Sequence, residues 1–161
     1  MNRIYVAIIS LLLSITAASA QELTFALGTS DFGEGGRDGA AFDLEYRHTP
    51  FVQKRVLSVA WGASLSLTGE GDAFIGGGVW SRWQWNSGWF IDNSIMPGLY
   101  EEGTFQNFLG STFQIRSLLG VGYQFENGHA ISAVISHKSN ADLADVNPGM
   151  NAYSIRYHFK F

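Results

Sequence analysis

The end of the chain alternates between two kinds of side chain with a period of two residues. Over residues 151–161, large apolar side chains occupy every second position: Tyr153, Ile155, Tyr157, Phe159 and Phe161. The positions between them carry Ser154, Arg156, His158 and Lys160. Successive side chains of a strand point to opposite faces, and one apolar face opposite one polar face is typical of a wall with lipid outside and a polar lumen inside. Bacterial outer-membrane barrels usually end on such a strand with a terminal phenylalanine, so the segment predicts the last strand of such a barrel.

The same alternation, interrupted by glycine-rich and asparagine-rich turns, gives eight candidate strands. They cover residues 22–30, 40–48, 56–68, 73–85, 89–100, 112–125, 129–139 and 151–161. An even number of strands of this length suits a membrane-spanning barrel. The predicted fold is therefore all-β, an eight-stranded antiparallel transmembrane β-barrel of the outer membrane. Short turns are expected on the periplasmic side, and three of the four opposite loops are longer.

A barrel of eight strands has an interior that side chains can fill. Polar residues with the inward parity are expected to pair there and to leave no pore. They are Glu22, Glu45, Arg47, Asp92, Gln114, Arg116, Arg156, His158 and Lys160.

The first twenty residues have the pattern of a cleaved signal peptide. Asn2 and Arg3 precede an apolar run over residues 4–15, and Ala18-Ser19-Ala20 supplies an A-x-A cleavage site. We therefore expect a signal peptide over residues 1–20 and one barrel domain over residues 21–161. Loss of the single positive charge of Arg3 takes the formal net charge from −4 to −5.

Composition excludes several kinds of function. The 161 residues include no cysteine, which excludes disulfides, thiol nucleophiles and thiolate metal sites. The basic residues are scattered, so nucleic-acid binding has no support. His48, His129 and His158 are not spaced with one another as metal ligands, and we expect neither a metal nor another cofactor.

One pair of residues near the end of the seventh candidate strand can carry chemistry. His137 and Ser139 share the parity of Ile131, Ala133 and Ile135, so both are expected on the lipid-facing wall near the extracellular rim. A serine needs a neighbouring base to become a nucleophile, and histidine is the commonest base.

Two asparagines can assist that pair. Asn151, on the last strand, is expected to converge on the pair as the third group that orients the imidazole. Asn140 and the amides of the turn after Ser139 are candidates for an oxyanion hole. By spacing alone the pair is a weak signal, because polar residues at a barrel rim also meet lipid headgroups.

Several short motifs follow one another near the end of the chain: His137-Lys-Ser139-Asn140-Ala141, then Asn147-Pro148-Gly149, and then Asn151-Ala-Tyr153-Ser154. They resemble those of the PagL-type lipid A 3-O-deacylases, a family of outer-membrane acyl-ester hydrolases. The similarity is plain from about Leu109 to the end of the chain and looser over the rest. The resemblance implies an eight-stranded outer-membrane barrel, with His137 as base, Ser139 as nucleophile and Asn140 as an oxyanion contributor. Asn151 stands where the family has an acidic third residue that orients the histidine. Asp142 or Asp145 is therefore an alternative source of that carboxylate.

The implied reaction is hydrolysis of the acyl ester at position 3 of lipid A, in the outer leaflet, by an enzyme that is a monomer or a homodimer. The alternative from another class is a non-catalytic structural or adhesive barrel. A lipid A acyltransferase is a second alternative, for which we would expect the working residues in the extracellular loops.

Overall fold

The computed structural model describes residues 21–33 and 35–161. The predicted signal peptide, residues 1–20, lies outside the described residues and stays a prediction, as does the domain boundary after it. The strands are β1 (Glu22–Asp31), β2 (Ala40–Arg47), β3 (Val52–Gln53), β4 (Leu57–Thr68), β5 (Ala73–Gln84), β6 (Trp89–Glu101), β7 (Phe113–Gln124), β8 (Ala130–Ser139) and β9 (Met150–Lys160). Apart from the two-residue β3, these are the eight predicted strands, each displaced by at most one residue at either end.

The eight long strands close into a barrel in which every neighbouring pair is antiparallel. Going around it, β1 pairs with β2, β2 with β4, and β4 to β9 follow in order until β9 pairs with β1. The short β3 adds to β4 within the first turn. Closure gives the backbone groups of every long strand a partner, as a lipid environment requires. The predicted fold class is confirmed.

The outer wall is apolar, as the alternation predicted. Leu27, Ile75 and Ile95 are 69%, 62% and 61% exposed, although in a soluble protein side chains of this kind are usually buried. The aromatic side chains of the last strand also face outward, including Tyr153, Tyr157 and Phe159. Such a surface suits contact with lipid acyl chains. Within the described ranges, no helix has the length and hydrophobicity needed to cross a membrane.

The lumen is filled by a network of buried charges. Glu45 is fully buried and pairs with three guanidinium groups, those of Arg47 at 2.9 Å, Arg116 at 3.1 Å and Arg156 at 3.2 Å. Below it, Arg82 bridges Glu22 and Asp92. All the residues predicted to be inward are buried except Lys160. That residue is the last of β9 and lies at the mouth of the barrel, where the packed interior ends.

At the end with the longer loops, an apolar layer and a set of hydrogen bonds close the barrel. The layer contains Phe32, Ala41, Phe74, Tyr100, Leu109, Met150 and Ala152. Above it, the side chain of Asn107 joins three loops. Its Oδ1 accepts the amide of Arg37, and its Nδ2 donates to Asp72. This layer supports the segment after β8 from inside the barrel.

Candidate active site

The two residues of the predicted pair lie on the outer wall. His137 is exposed and Ser139 is half-buried, whereas the side chains between and before them, Lys138 and Ser136, are buried in the lumen. Because both members of the pair have the outward parity of β8, they lie on one face with roughly 7 Å between their Cα atoms. In the described part of the chain, no hydrogen bond joins the imidazole to the hydroxyl, so the side chain of Ser139 would have to rotate to bring them together.

The imidazole of His137 is held by Asn151. These residues are directly paired across β8 and β9, and Nδ1 of His137 lies 2.9 Å from Oδ1 of Asn151. An amide oxygen only accepts hydrogen bonds, so this contact places the proton on Nδ1. Nε2 is then unprotonated, and in this tautomer the imidazole can act as a general base.

Gly149 bounds the imidazole on another side. A Cβ atom at this position would lie 2.9 Å from Cε1 of His137 and 3.4 Å from Nε2. The φ angle of Gly149 is +68°, in the left-handed region that favours glycine. The sequence motif included this glycine, but no role was predicted for it, because its contact with the ring depends on how the loop folds back.

The chain turns sharply after Ser139. Ala141 and Asp142 have φ angles of +53° and +58°, and the amide of Leu143 donates to the carbonyl of Asn140 at 3.1 Å. Two successive left-handed residues make a tight turn of the type that glycine and asparagine usually occupy. In the described part of the chain, the amides of Ala141 and Asp142 have no hydrogen-bond acceptor. They are therefore free to donate to a bound group.

Asn140 faces inward and is fully buried. Its Nδ2 donates to the carbonyls of Leu109 at 3.1 Å and Val146 at 2.7 Å, and its backbone amide donates to Oδ1 of Asn147 at 3.0 Å. These contacts tie the turn to the two loops beside it. The donors of Asn140 are thus already engaged, whereas the predicted oxyanion role requires a free donor.

The two alternative carboxylates lie in the same loop. Oδ1 of Asp142 accepts a hydrogen bond from Nδ2 of Asn147 at 2.9 Å, and Asp145 is exposed. Among the described residues, neither carboxylate contacts His137. The structure therefore brings Asn151, and not either aspartate, to the imidazole.

An apolar groove of about 610 Å³ runs along the outer wall below the pair, and Ile135 is its lining residue nearest to His137 on β8. Ile135 lies directly below His137 on β8, and Ala133 lies below Ile135. Ala133 is flanked in register by Val121 on β7 and Ile155 on β9. Because its methyl group is smaller than these neighbours, the wall is indented there. An extended hydrocarbon chain can lie in this groove with its polar end beside His137 and Ser139.

Comparison with known proteins identifies a family. The family model described as lipid A 3-O-deacylase (PagL) matches residues 40–160. The lipid A deacylase PagL of Bordetella bronchiseptica is 27% identical over 81 residues, which are 50% of this chain and 46% of that protein. The chain thus spans about half the length of the curated relative it matches.

Solved structures give the fold. The crystal structure of the outer membrane enzyme PagL matches with a TM-score of 0.72 at 21% identity, covering 87% of this chain and 99% of that one. Neisserial surface protein A matches with a TM-score of 0.57 at 11% identity, covering 88% of this chain and 96% of that one. The family match covers most of the chain, including His137 and Ser139, and the chain therefore belongs to the lipid A 3-O-deacylase (PagL) family.

Proposed function

We propose that this protein is a lipid A 3-O-deacylase of the bacterial outer membrane, and that Ser139 and His137 are its catalytic pair. The single observation that carries the proposal is the position of the pair: both residues lie on the lipid-facing wall, above an apolar groove whose lining on β8 ends at Ile135. Membership of the family supports the choice of lipid A as substrate.

The proposed reaction proceeds by nucleophilic catalysis. Nε2 of His137 takes the proton of the Ser139 hydroxyl as the oxygen attacks the ester carbonyl at position 3 of lipid A. The imidazolium then returns that proton to the departing sugar hydroxyl, leaving the acyl chain on Ser139. A water molecule, activated by the same imidazole, releases the fatty acid. Asn151 keeps the proton of the resting imidazole on Nδ1 throughout.

The oxyanion of the tetrahedral intermediate needs hydrogen-bond donors that are already oriented. We assign this role to the backbone amides of Ala141 and Asp142, which the left-handed turn leaves without acceptors in the described structure. Asn140 contributes indirectly, because its buried side chain fixes the turn against Leu109 and Val146.

Lateral access explains why the pair lies outside the barrel. Lipid A occupies the outer leaflet, and its acyl chains run parallel to the barrel wall. A chain in the groove below His137 places its ester at the level of the rim, where Ser139 lies. The lumen is filled by charged side chains and takes no part in binding.

The proposal also includes a homodimer. Ser81 on β5 and Asn93 on β6 are paired in register, have the outward parity and share a hydrogen bond of 2.9 Å; Ser81 is buried and Asn93 is half-buried. A polar pair on the lipid-facing wall is costly unless it has a further partner. A second copy of the chain supplies one, through the amide donors of Asn93.

The experiment is mass spectrometry of lipid A from bacteria that express the protein. The wild type should remove one 3-hydroxyacyl mass, and Ser139→Ala and His137→Ala should remove none. Ser136→Ala is the matched control, because this serine is on the same strand but faces the lumen. Unchanged lipid A with the inserted wild type would favour a structural or adhesive barrel instead.

A further inference from the structure

We propose that Asp31 is a positioning residue of this site, which orients the side-chain amide of Asn151 and so determines which nitrogen of His137 carries the proton. The inference rests on the proposed function. It also supplies the carboxylate that position 151 lacks.

The strand register places the three residues side by side. Asp31, the last residue of β1, is directly paired with Asn151 on β9, which in turn is directly paired with His137 on β8. Residues directly paired on antiparallel strands carry their side chains on the same face, with Cβ atoms about 4.5–5.5 Å apart. Asp31 has the outward parity of Phe25 and Leu27, and it is half-buried, as is Asn151.

An asparagine can orient a histidine in two opposite ways. With Oδ1 toward the ring, as found here, it accepts the proton on Nδ1 and leaves Nε2 as a base. With the amide rotated by half a turn, Nδ2 donates to Nδ1, and the proton moves to Nε2. In that state Nε2 cannot accept the proton of Ser139.

The neighbour on the other side of Asn151 decides between these two states. A carboxylate accepts hydrogen bonds and does not donate them when it is ionised, so it favours the state in which Nδ2 faces β1 and Oδ1 faces β8. In the described structure, Nδ2 of Asn151 has no acceptor. One oxygen of Asp31 accepts the amide of Gly33 at 3.0 Å, and its other oxygen has no donor among residues 21–33 and 35–161. Because directly paired residues have Cβ atoms only about 4.5–5.5 Å apart, rotation of either side chain can bring this donor to this acceptor.

The other acidic residues nearby do not share this position. Oδ1 of Asp38 accepts the amide of Phe32 at 2.8 Å within the loop after β1, and Asp142 is bound by Asn147. Asp31 is the carboxylate that the register places next to Asn151. The carboxylate of Asp31 thus acts on the imidazole of His137 through the side-chain amide of Asn151, without contacting the ring directly.

The test compares Asp31→Asn with Asp38→Asn in purified protein acting on lipid A. Both changes are nearly isosteric, and both keep an oxygen that can accept the neighbouring backbone amide. Asp31→Asn should lower kcat by about tenfold, the effect of one charge-assisted hydrogen bond, with KM unchanged. Asp38→Asn should leave kcat at the wild-type value. Unchanged kcat in Asp31→Asn would overturn the inference.

A second background separates positioning from general damage. Asn151→Asp places a carboxylate directly against His137, so adding Asp31→Asn to it should cause no loss of kcat. An equal loss in both backgrounds would overturn the inference, because a merely structural role does not depend on residue 151. If the wild type itself has no activity that depends on Ser139, the proposed function fails separately.

A measurement that needs no substrate tests the inference whether or not the wild type has activity that depends on Ser139. In protein labelled with ¹⁵N-histidine, the signal of His137 can be assigned by its absence in His137→Gln. The wild type should show the tautomer protonated on Nδ1, and Asp31→Asn should show a mixture. The same single tautomer in both proteins would contradict the proposal.

Discussion

Gly149 illustrates at the scale of one residue how closely the imidazole of His137 is confined. Glycine is required there by the backbone, which has a φ of +68°, and by the ring, whose Cε1 would lie 2.9 Å from any Cβ atom. Asn151 holds the same ring through Nδ1. The ring is therefore fixed by one contact that is polar and one that is steric.

Gly149→Ala should lower kcat by about tenfold to a hundredfold, because displacement of a catalytic group by about 1 Å has effects of that order. Gly128→Ala is the matched control: its φ is +86°, and a Cβ atom there would meet nothing within 4 Å. Both substitutions impose the same kind of backbone strain, but only the first touches His137. Equal losses of activity in steady-state assays would mean that strain alone is responsible.

Strand β8 supplies both the pair and the groove below it, so at the scale of elements it is the centre of the site. Its outward residues run from Ile131 through Ala133 and Ile135 to His137 and Ser139. Ala133 forms the indentation between Val121 and Ile155. The depth of the groove therefore depends on a residue without chemical function.

Ala133→Phe should fill the groove and reduce hydrolysis of esters with long acyl chains, while hydrolysis of a short-chain ester changes little. The side chain faces lipid, so the barrel should still fold. Ala63→Phe is the control, since Ala63 is an exposed alanine on the outer wall of β4. The measurement is kcat/KM for lipid A and for a soluble short-chain ester. Equal loss for both substrates would show that the groove does not bind the acyl chain.

Some features of the fold were predictable from the sequence because the side chains of a strand alternate between its two faces with a period of two residues. The limits of the eight strands and the outward position of His137 and Ser139 follow from parity within one strand. Parity also distinguishes Asn140, which has the inward parity of Ser136 and Lys138 and is buried.

Contacts between distant strands were not predictable in the same way. The pairing of Asp31 with Asn151 joins residues near opposite ends of the chain, and its register depends on how the barrel closes. A shift of the β1–β9 register by one residue would pair Asp31 with a residue other than Asn151. The contact of Gly149 with the imidazole likewise depends on the path of a whole loop.

On the scale of the whole molecule, the outer wall carries the site and the lumen holds the wall in shape. Glu45 is central to the lumen because its carboxylate forms ion pairs with Arg47, Arg116 and Arg156. Removal of one partner from a buried ionic network leaves charge uncompensated. The barrel should therefore be sensitive to this position although it is far from catalysis.

Glu45→Gln should lower the free energy of unfolding by about 3–5 kcal/mol, the usual cost of breaking a buried ion pair. Glu126→Gln, in an exposed turn, is the control and should change it by less than about 0.5 kcal/mol. Urea unfolding of the detergent-solubilised barrel measures both. A change as small as that of the control would mean that the arginines find other partners in the lumen.

The most direct test of the account is covalent labelling of the outward-facing serine with a fluorophosphonate that carries an alkyl chain. Mass spectrometry of the digested protein should find the phosphonyl adduct on Ser139, and His137→Ala should abolish the labelling. An adduct on another residue, or labelling of Ser139 that does not depend on His137, would contradict a catalytic pair on the lipid-facing wall.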